Sequence, residues 1–266
     1  MPSALYDAHV HLAAALLTSA KAAISQSYDD IQLKKAIVTG TSPADWSKVV
    51  EVASDDERFI PAVGLHPWKV NDAPANWQDQ LLKCLDQGVG VMGEIGLDQW
   101  IDDFDIERQI DAFEWQISLA VERNLPTSIH CLKAHDPLLK TLRPIERPAR
   151  GFKLHAYNGP VDTIKPLLDL GAYFSFNGGQ LKPNAKNVRE IIQTVPGDRI
   201  LMETDAPDFV PPLELREFTL GDESLCHPAN LRAGYRAVAK LRGESLDDFT
   251  HKVALNFQRY FDTTAM

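Results

Sequence analysis

The strongest constraint on the fold is a repeated alternation. Short β-branched or apolar runs occupy residues 5–12, 35–40, 59–66, 89–97, 126–132, 152–157, 172–178 and 199–205, and amphipathic stretches separate them. The clearest of these stretches places Ile106, Ile110, Phe113, Ile117, Ala120 and Val121 on one face at the 3.6-residue period of a helix. Ser42-Pro43 offers an N-cap and a first-turn proline to the helix after the second run, and Gly221 and Gly243 punctuate the end of the chain. Eight strand–helix units without a linker, repeat or low-complexity tract predict one α/β domain over residues 1–266, its parallel sheet closed as a (β/α)8 TIM barrel. A doubly wound open sheet is the competing arrangement, but no glycine-rich phosphate loop follows the first run.

A barrel must be filled, and 44% hydrophobic residues in 266 suffice for that core. The longest apolar stretch near the start, residues 12–20, includes Thr18 and Ser19 and stops at Lys21, far short of the roughly 20 residues a membrane span needs. It follows Asp7 and two histidines rather than a basic leader, which predicts a cytoplasmic protein. Cys84, Cys131 and Cys226 have no paired spacing, so neither a disulfide framework nor a thiolate metal site is expected. With 27 basic and 37 acidic residues the net charge is −10. Such a surface does not attract nucleic acid by its bulk field, so a phosphate-bearing substrate has to be held by local cations.

In a barrel of this kind the chemistry lies at the C-terminal ends of the strands. His9 and His11 fall at the first such end, His66 at the third, Glu94 on the fourth, His130 at the fifth, His155 at the sixth and Asp205 at the eighth. His135 and His251 read as surface or helix residues, and His227 lies in a late loop. One histidine at a strand end is ordinarily a satisfied polar residue, but donors that track successive strand ends have a common purpose. Four imidazoles and two carboxylates exceed what one four-coordinate ion takes; they suit two divalent cations about 3.5–4 Å apart sharing a carboxylate. Glu94, between Gly93 and Gly96, is the expected bridge, with the glycines clearing space for metal. Strand parity puts Asp7 on the face of His9 and His11, and Glu203 on the face of Asp205, as orienting groups for the ligands. The same parity turns Lys153 inward beside His155, where it must meet a carboxylate, Glu203 first.

The segments Asp7-Ala8-His9-Val10-His11, Gly64-Leu65-His66-Pro67, Gly93-Glu94-Ile95-Gly96-Leu97-Asp98, Leu125-Pro126-Thr127-Ser128-Ile129-His130 and Glu203-Thr204-Asp205-Ala206-Pro207 together resemble the TatD family of metal-dependent hydrolases, within the amidohydrolase-like barrels. The resemblance runs from Tyr6 to the segment ending at Phe261. It implies a metal-dependent deoxyribonuclease, with His9, His11, Asp205 and Glu94 on one metal and Glu94, His130 and His155 on the second. It also implies His66 near the scissile phosphate. Magnesium, manganese and zinc all suit such a donor set. The expected substrate is a DNA end, single-stranded or frayed, with Asp205 as the base and Glu94 and His66 at the reacting atoms.

Three segments depart from the family pattern, and all three are expected beside the substrate. Where an arginine is usual after the fifth strand the chain has His130-Cys131-Leu132-Lys133-Ala134, leaving Lys133 as the substitute cation. After the sixth strand it reads His155-Ala156-Tyr157-Asn158-Gly159, and the late Asn-Glu-Pro is Cys226-His227-Pro228. Trp68, Trp100, Tyr157 and Phe209 stand near strand ends where aromatic rings stack on bases, Trp68 foremost. Hydrolysis thus rests on more residues than DNA does. A metallohydrolase acting on a non-nucleic ester, amide or lactone, and a non-catalytic metal-binding barrel, are the alternatives.

Overall fold

The computed structural model describes residues 4–261, so the first three and last five residues of the predicted domain lie outside the described part. Eight parallel strands follow one another in sequence order: β1 Leu5–Val10, β2 Leu33–Thr39, β3 Phe59–Val63, β4 Val91–Asp98, β5 Thr127–Leu132, β6 Phe152–Leu154, β7 Ala172–Phe176 and β8 Ile200–Met202. Just beyond β8, the Asp205 amide donates to the His9 carbonyl and the His11 amide to that of Ala206, at 2.9 Å each, drawing the last strand end to the first. The helices are α1 Ala15–Thr18, α2 Lys21–Asp30, α3 Trp46–Ser54, α4 Trp77–Leu85, α5 Ile106–Glu122, α6 His135–Leu142, α7 Ile164–Asp169, α8 Lys186–Thr194, α9 Leu231–Arg242 and α10 Leu246–Phe261. The architecture is a (β/α)8 TIM barrel. No helix among the described residues is long and apolar enough to cross a membrane.

Two apolar regions follow from strand alternation. The larger lies between sheet and helices, with Val38, Val49, Phe113, Phe152, Phe174 and Ile191 among its fully buried members. The smaller fills the N-terminal end of the barrel, where Tyr6, Ile37, Val91, Tyr173 and Leu201 meet Phe257, Tyr260 and Phe261 of α10. Tyr260 ties the plug to β5, donating to the Thr127 carbonyl at 2.6 Å and accepting from its amide at 2.9 Å. Moving two residues at a time toward the C-terminal ends, the inward side chains become polar or charged. Leu201 is followed by Glu203 and Asp205, Tyr173 by Ser175 and Asn177, and Lys153 by His155, all of them buried.

Local details depart from the sequence reading. The helix after β2 starts at Trp46, not at Ser42-Pro43, because the Asp45 carboxylate takes the Thr41 and Ser42 amides at 2.9–3.2 Å and holds that segment as a turn. In α5 the buried stripe includes Gln109 and Gln116, while Ile106, Ile110 and Val121 are only partly buried. Each glutamine spends its amide on backbone: Gln109 on the N–H and C=O of Asp98 at 2.7 and 2.9 Å, Gln116 on those of Leu65 at 2.7 and 3.3 Å. Gly93 and Gly96 make room for β5 rather than for metal. A Cβ at Gly93 would come within 2.7 Å of Ser128 Cβ, and one at Gly96, whose φ is +143°, would land on the His130 carbonyl. Gly243 ends α9 in the left-handed conformation, as a helix-terminating glycine does.

Candidate metal centre

β1 does not hold strict parity. Its pairing with β2 shifts register between Asp7 and Val10, and Asp7 is turned out of line with the histidines. The buried Asp7 carboxylate accepts from the His9 amide at 3.1 Å, from the Thr204 amide at 3.0 Å and from the Thr204 hydroxyl at 2.6 Å. It therefore straps β1 to the segment after β8 instead of orienting an imidazole. Burial pushes its pKa up to about 7 against the pull of Thr204.

His9, His11, Glu94 and Asp205 converge next to that strap. His9 Nε2 lies 3.2 Å from His11 Nε2, 3.4 Å from Glu94 Oε2 and 3.7 Å from Asp205 Oδ1. His11 Nε2 is 3.3 Å from Asp205 Oδ1 and 3.7 Å from Glu94 Oε2. The other Glu94 oxygen, Oε1, faces a different set: His155 Nε2 at 2.7 Å, His130 Nδ1 at 3.0 Å and His66 Nε2 at 3.3 Å. His130 Nδ1 and His155 Nε2 are 3.2 Å apart. Donors held about 2.0–2.2 Å from a tetrahedral ion stand at such mutual distances. One carboxylate thus divides its two oxygens between two groups of donors that could hold metal.

The remaining ring nitrogens decide which atoms can ligate. His11 Nδ1 sits 2.9 Å from the Thr39 carbonyl, which can only accept, so Nδ1 keeps its proton and Nε2, which faces Asp205, is the atom that would ligate once its own proton is displaced. His9 Nδ1 pairs with the Ser128 hydroxyl at 3.1 Å, and His130 Nε2 with the Asp98 carboxylate at 2.7 Å. Each fixes its imidazole with the opposite nitrogen toward Glu94. His155 stacks on His9 with ring centres 4.3 Å apart, its Nδ1 3.6 Å from Glu203. His66 is the reverse case. Its Nδ1 accepts the Trp68 amide at 3.1 Å, so its Nε2 carries the proton and is a donor rather than a ligand.

Beneath the histidines Lys153 is fully buried, donating to the Ala8 carbonyl at 2.8 Å with Glu203 at 3.5 Å, the carboxylate expected from the sequence. Burial would raise Glu203, but Lys153 and His155 draw it down to about 2. Asp205 and Glu94 are likewise held well below the carboxylate range against burial, Asp205 chiefly by His11 and Glu94 by His155 and His66. Burial lowers His9 to about 4, helped by His155 and Lys153. His11 goes the other way: burial opposes its charge, yet the hydrogen bond to Asp205 takes it up to about 9, a proton that a metal must displace.

The centre opens into a cleft of about 600 Å³ lined by His11, His66, Glu94, His130, His155 and Asp205, with Trp68, Trp100 and Phe209 on its wall. Two residues read from sequence as substrate contacts stand elsewhere. Lys133 is exposed with φ of 54° and is not among the lining residues. Tyr157 is buried, its hydroxyl engaged by Thr163 and the Pro160 carbonyl at 2.5 and 3.1 Å. Of the three departing segments, Cys131, Leu132 and Asn158 line the cleft, whereas Cys226 and His227 do not. His227 instead caps a helical turn, its Nδ1 accepting the Ala229 amide at 3.1 Å. Sequence reasoning passed over Asp98, Ser128 and the two α5 glutamines. The only signal for Asp98 was its place in the Gly93–Asp98 segment; buried glutamines leave no signature in an apolar pattern.

Comparison with known proteins gives the family. Residues 6–262 match the model of the family described as TatD related DNase. The chain is 29% identical over 268 residues to the metal-dependent hydrolase YcfH of Escherichia coli, covering 98% of this chain and 97% of that one. It is 25% identical to the 3'-5' ssDNA/RNA exonuclease TatD of Erwinia amylovora, covering 97% and 99%. The crystal structure of the TatD homologue YjjV from Escherichia coli superposes with a TM-score of 0.88 at 26% identity, covering 97% and 98%. With the whole barrel matched by the family model and its strand ends carrying the donors such hydrolases need, the chain belongs to the TatD family of metal-dependent hydrolases.

Proposed function

We propose that the protein is a two-metal phosphodiesterase that acts on single-stranded or frayed DNA ends. The observation that carries this reading is the division of Glu94, with Oε2 toward His9 and His11 and Oε1 toward His130 and His155. His9, His11 and Asp205 would hold one cation with Glu94, and His130 and His155 would hold the other with it. Bound there, magnesium, manganese or zinc would acidify water and neutralise phosphate charge.

The chain's own groups supply the rest. Asp205, ionised beside His11, orients the attacking water and accepts its proton. His66 presents Nε2–H, and burial keeps the ring neutral, so it donates to a phosphate oxygen or to the leaving oxygen without adding charge. Glu203 and Lys153 form a neutral floor that sets the position of the His9–His155 stack. The exonuclease name of the Erwinia relative supports a nucleic acid as substrate. A second reading, hydrolysis of a smaller non-nucleic ester, draws on the cleft's charge: Lys69 is the one lysine or arginine among its lining residues.

The test is cleavage of end-labelled single-stranded DNA by metal-stripped protein resupplied with magnesium, manganese or zinc, beside an Asp205→Asn variant. The reading predicts metal-dependent shortening from an end that the variant loses. Protein that binds two ions yet cleaves no phosphodiester with any of them would transfer the site to the smaller-ester reading.

A further inference from the structure

The cleft wall combines large exposed aromatic rings with very little positive charge. Trp68 is 44% exposed and Trp100 56% exposed, and both line the cleft. They follow β3 and β4, while Phe209, 38% exposed, follows β8, four strands away around the barrel. Against Lys69 the same lining carries Asp45, Glu94, Asp205 and Asp208. Among the lining residues no second lysine or arginine joins Lys69, so the cleft itself offers no backbone track of several such side chains, the usual means of holding a strand along its length.

The tryptophans are not loosely hung. Asp98 Oδ2 accepts from Trp68 Nε1 at 2.8 Å and also meets His130 Nε2 at 2.7 Å; Asp98 Oδ1 accepts the Trp100 amide at 2.6 Å. One buried carboxylate therefore ties the Trp68 ring and the Trp100 backbone to a metal-facing imidazole, and Gln109 fixes that carboxylate's own backbone. Trp68 is further packed against His66, with ring centres 5.1 Å apart. Holding an indole half in water costs conformational freedom and leaves apolar surface exposed, a cost recovered when a flat ring covers it.

Resting on the phosphodiesterase reading, we propose that Trp68 and Trp100 are a base-stacking platform. The substrate is selected as a strand end gripped by its base, with Lys69 as the single cationic contact, rather than as a strand held along its backbone. Asp98 is the positioning residue that sets the platform's distance from the metal centre.

The test compares kcat/KM for a single-stranded trinucleotide with that for its analogue lacking the terminal base, in the manganese-loaded protein and in Trp100→Ala and Trp68→Phe variants. Trp100→Ala removes a ring but keeps the amide bond to Asp98; Trp68→Phe keeps a stacking ring but loses the indole donor. The proposal expects the intact substrate to be favoured about tenfold or more, the scale of one base–aromatic stack, and that ratio to fall toward one in Trp100→Ala through KM. Trp68→Phe should keep more of the ratio than Trp100→Ala. Equal cleavage of both substrates, or a ratio that survives in both variants, would overturn the platform while leaving the phosphodiesterase standing. Cleavage of neither substrate would end both.

Discussion

At the N-terminal end of the barrel, Tyr6, Tyr173, Phe257, Tyr260 and Phe261 form a closed aromatic plug. Three and five residues after Tyr6, His9 and His11, and two and four residues after the neighbouring Leu201, Glu203 and Asp205, crowd charge into a space just as buried, save for a partly open His11. The plug gains by removing apolar area from water, at about 25 cal/mol per Å². The metal centre packs carboxylates, imidazoles and Lys153 where burial works against every charge, so its ion pairs recover little and its purpose lies in the cations it would hold. One strand direction thus separates the part of the chain that holds the barrel together from the part that works.

The largest expected effect lies at the working end. Glu94→Gln weakens the donor on both sides at once, and metal titration should show affinity lower by more than about 100-fold, beyond the cost of losing an outer hydrogen-bond partner. Thermal unfolding of the metal-free variant should show no comparable loss. The plug should behave in the opposite way: Phe257→Ala is expected to cost about 3–5 kcal/mol in chemical denaturation with two metals still bound. If Phe257→Ala abolished metal binding, the two ends would not be separable.

A third effect tests how an outer helix holds the working end. Gln116→Leu keeps volume but strips the Leu65 N–H and C=O of their partners, an expected loss of about 1–3 kcal/mol per buried group. Because Leu65 precedes His66, kcat should fall as well, with metal content unchanged. The smallest effect is electrostatic and belongs to the N-terminal rim, where Arg58 meets Asp56 and Asp29, both at 2.6 Å. Partial burial works against the Asp56 charge, but Arg58 prevails and holds its pKa below the ordinary 3.8. A depressed acid stabilises the fold above its unfolded pKa and loses that contribution as pH falls through the folded value. Asp56→Asn should therefore cost at most about 1 kcal/mol near neutrality, with the gap closing below about pH 4.

The barrel was legible because alternation at periods of 2 and 3.6 is written residue by residue, and the donors because they sit at strand ends. Lys153 and Glu203 followed from parity in strands that keep it. Asp7 did not, because the register shift in β1 is set by pairing with β2 and leaves no trace in Asp7-Ala8-His9 itself. The glycines beside Glu94 were visible, but their neighbour, β5, is remote in sequence. Tyr157 and Lys133 were placed near the substrate by position in the chain, whereas a hydroxyl bond to Thr163 and a left-handed backbone decide where they stand.

The most direct measurement is anomalous diffraction from a crystal of the protein loaded with manganese. Two peaks per chain are expected, one toward His9 and His11 and one toward His130 and His155, with a Glu94 oxygen on each. A single peak, or two that leave Glu94 bound to only one of them, would contradict the two-metal reading.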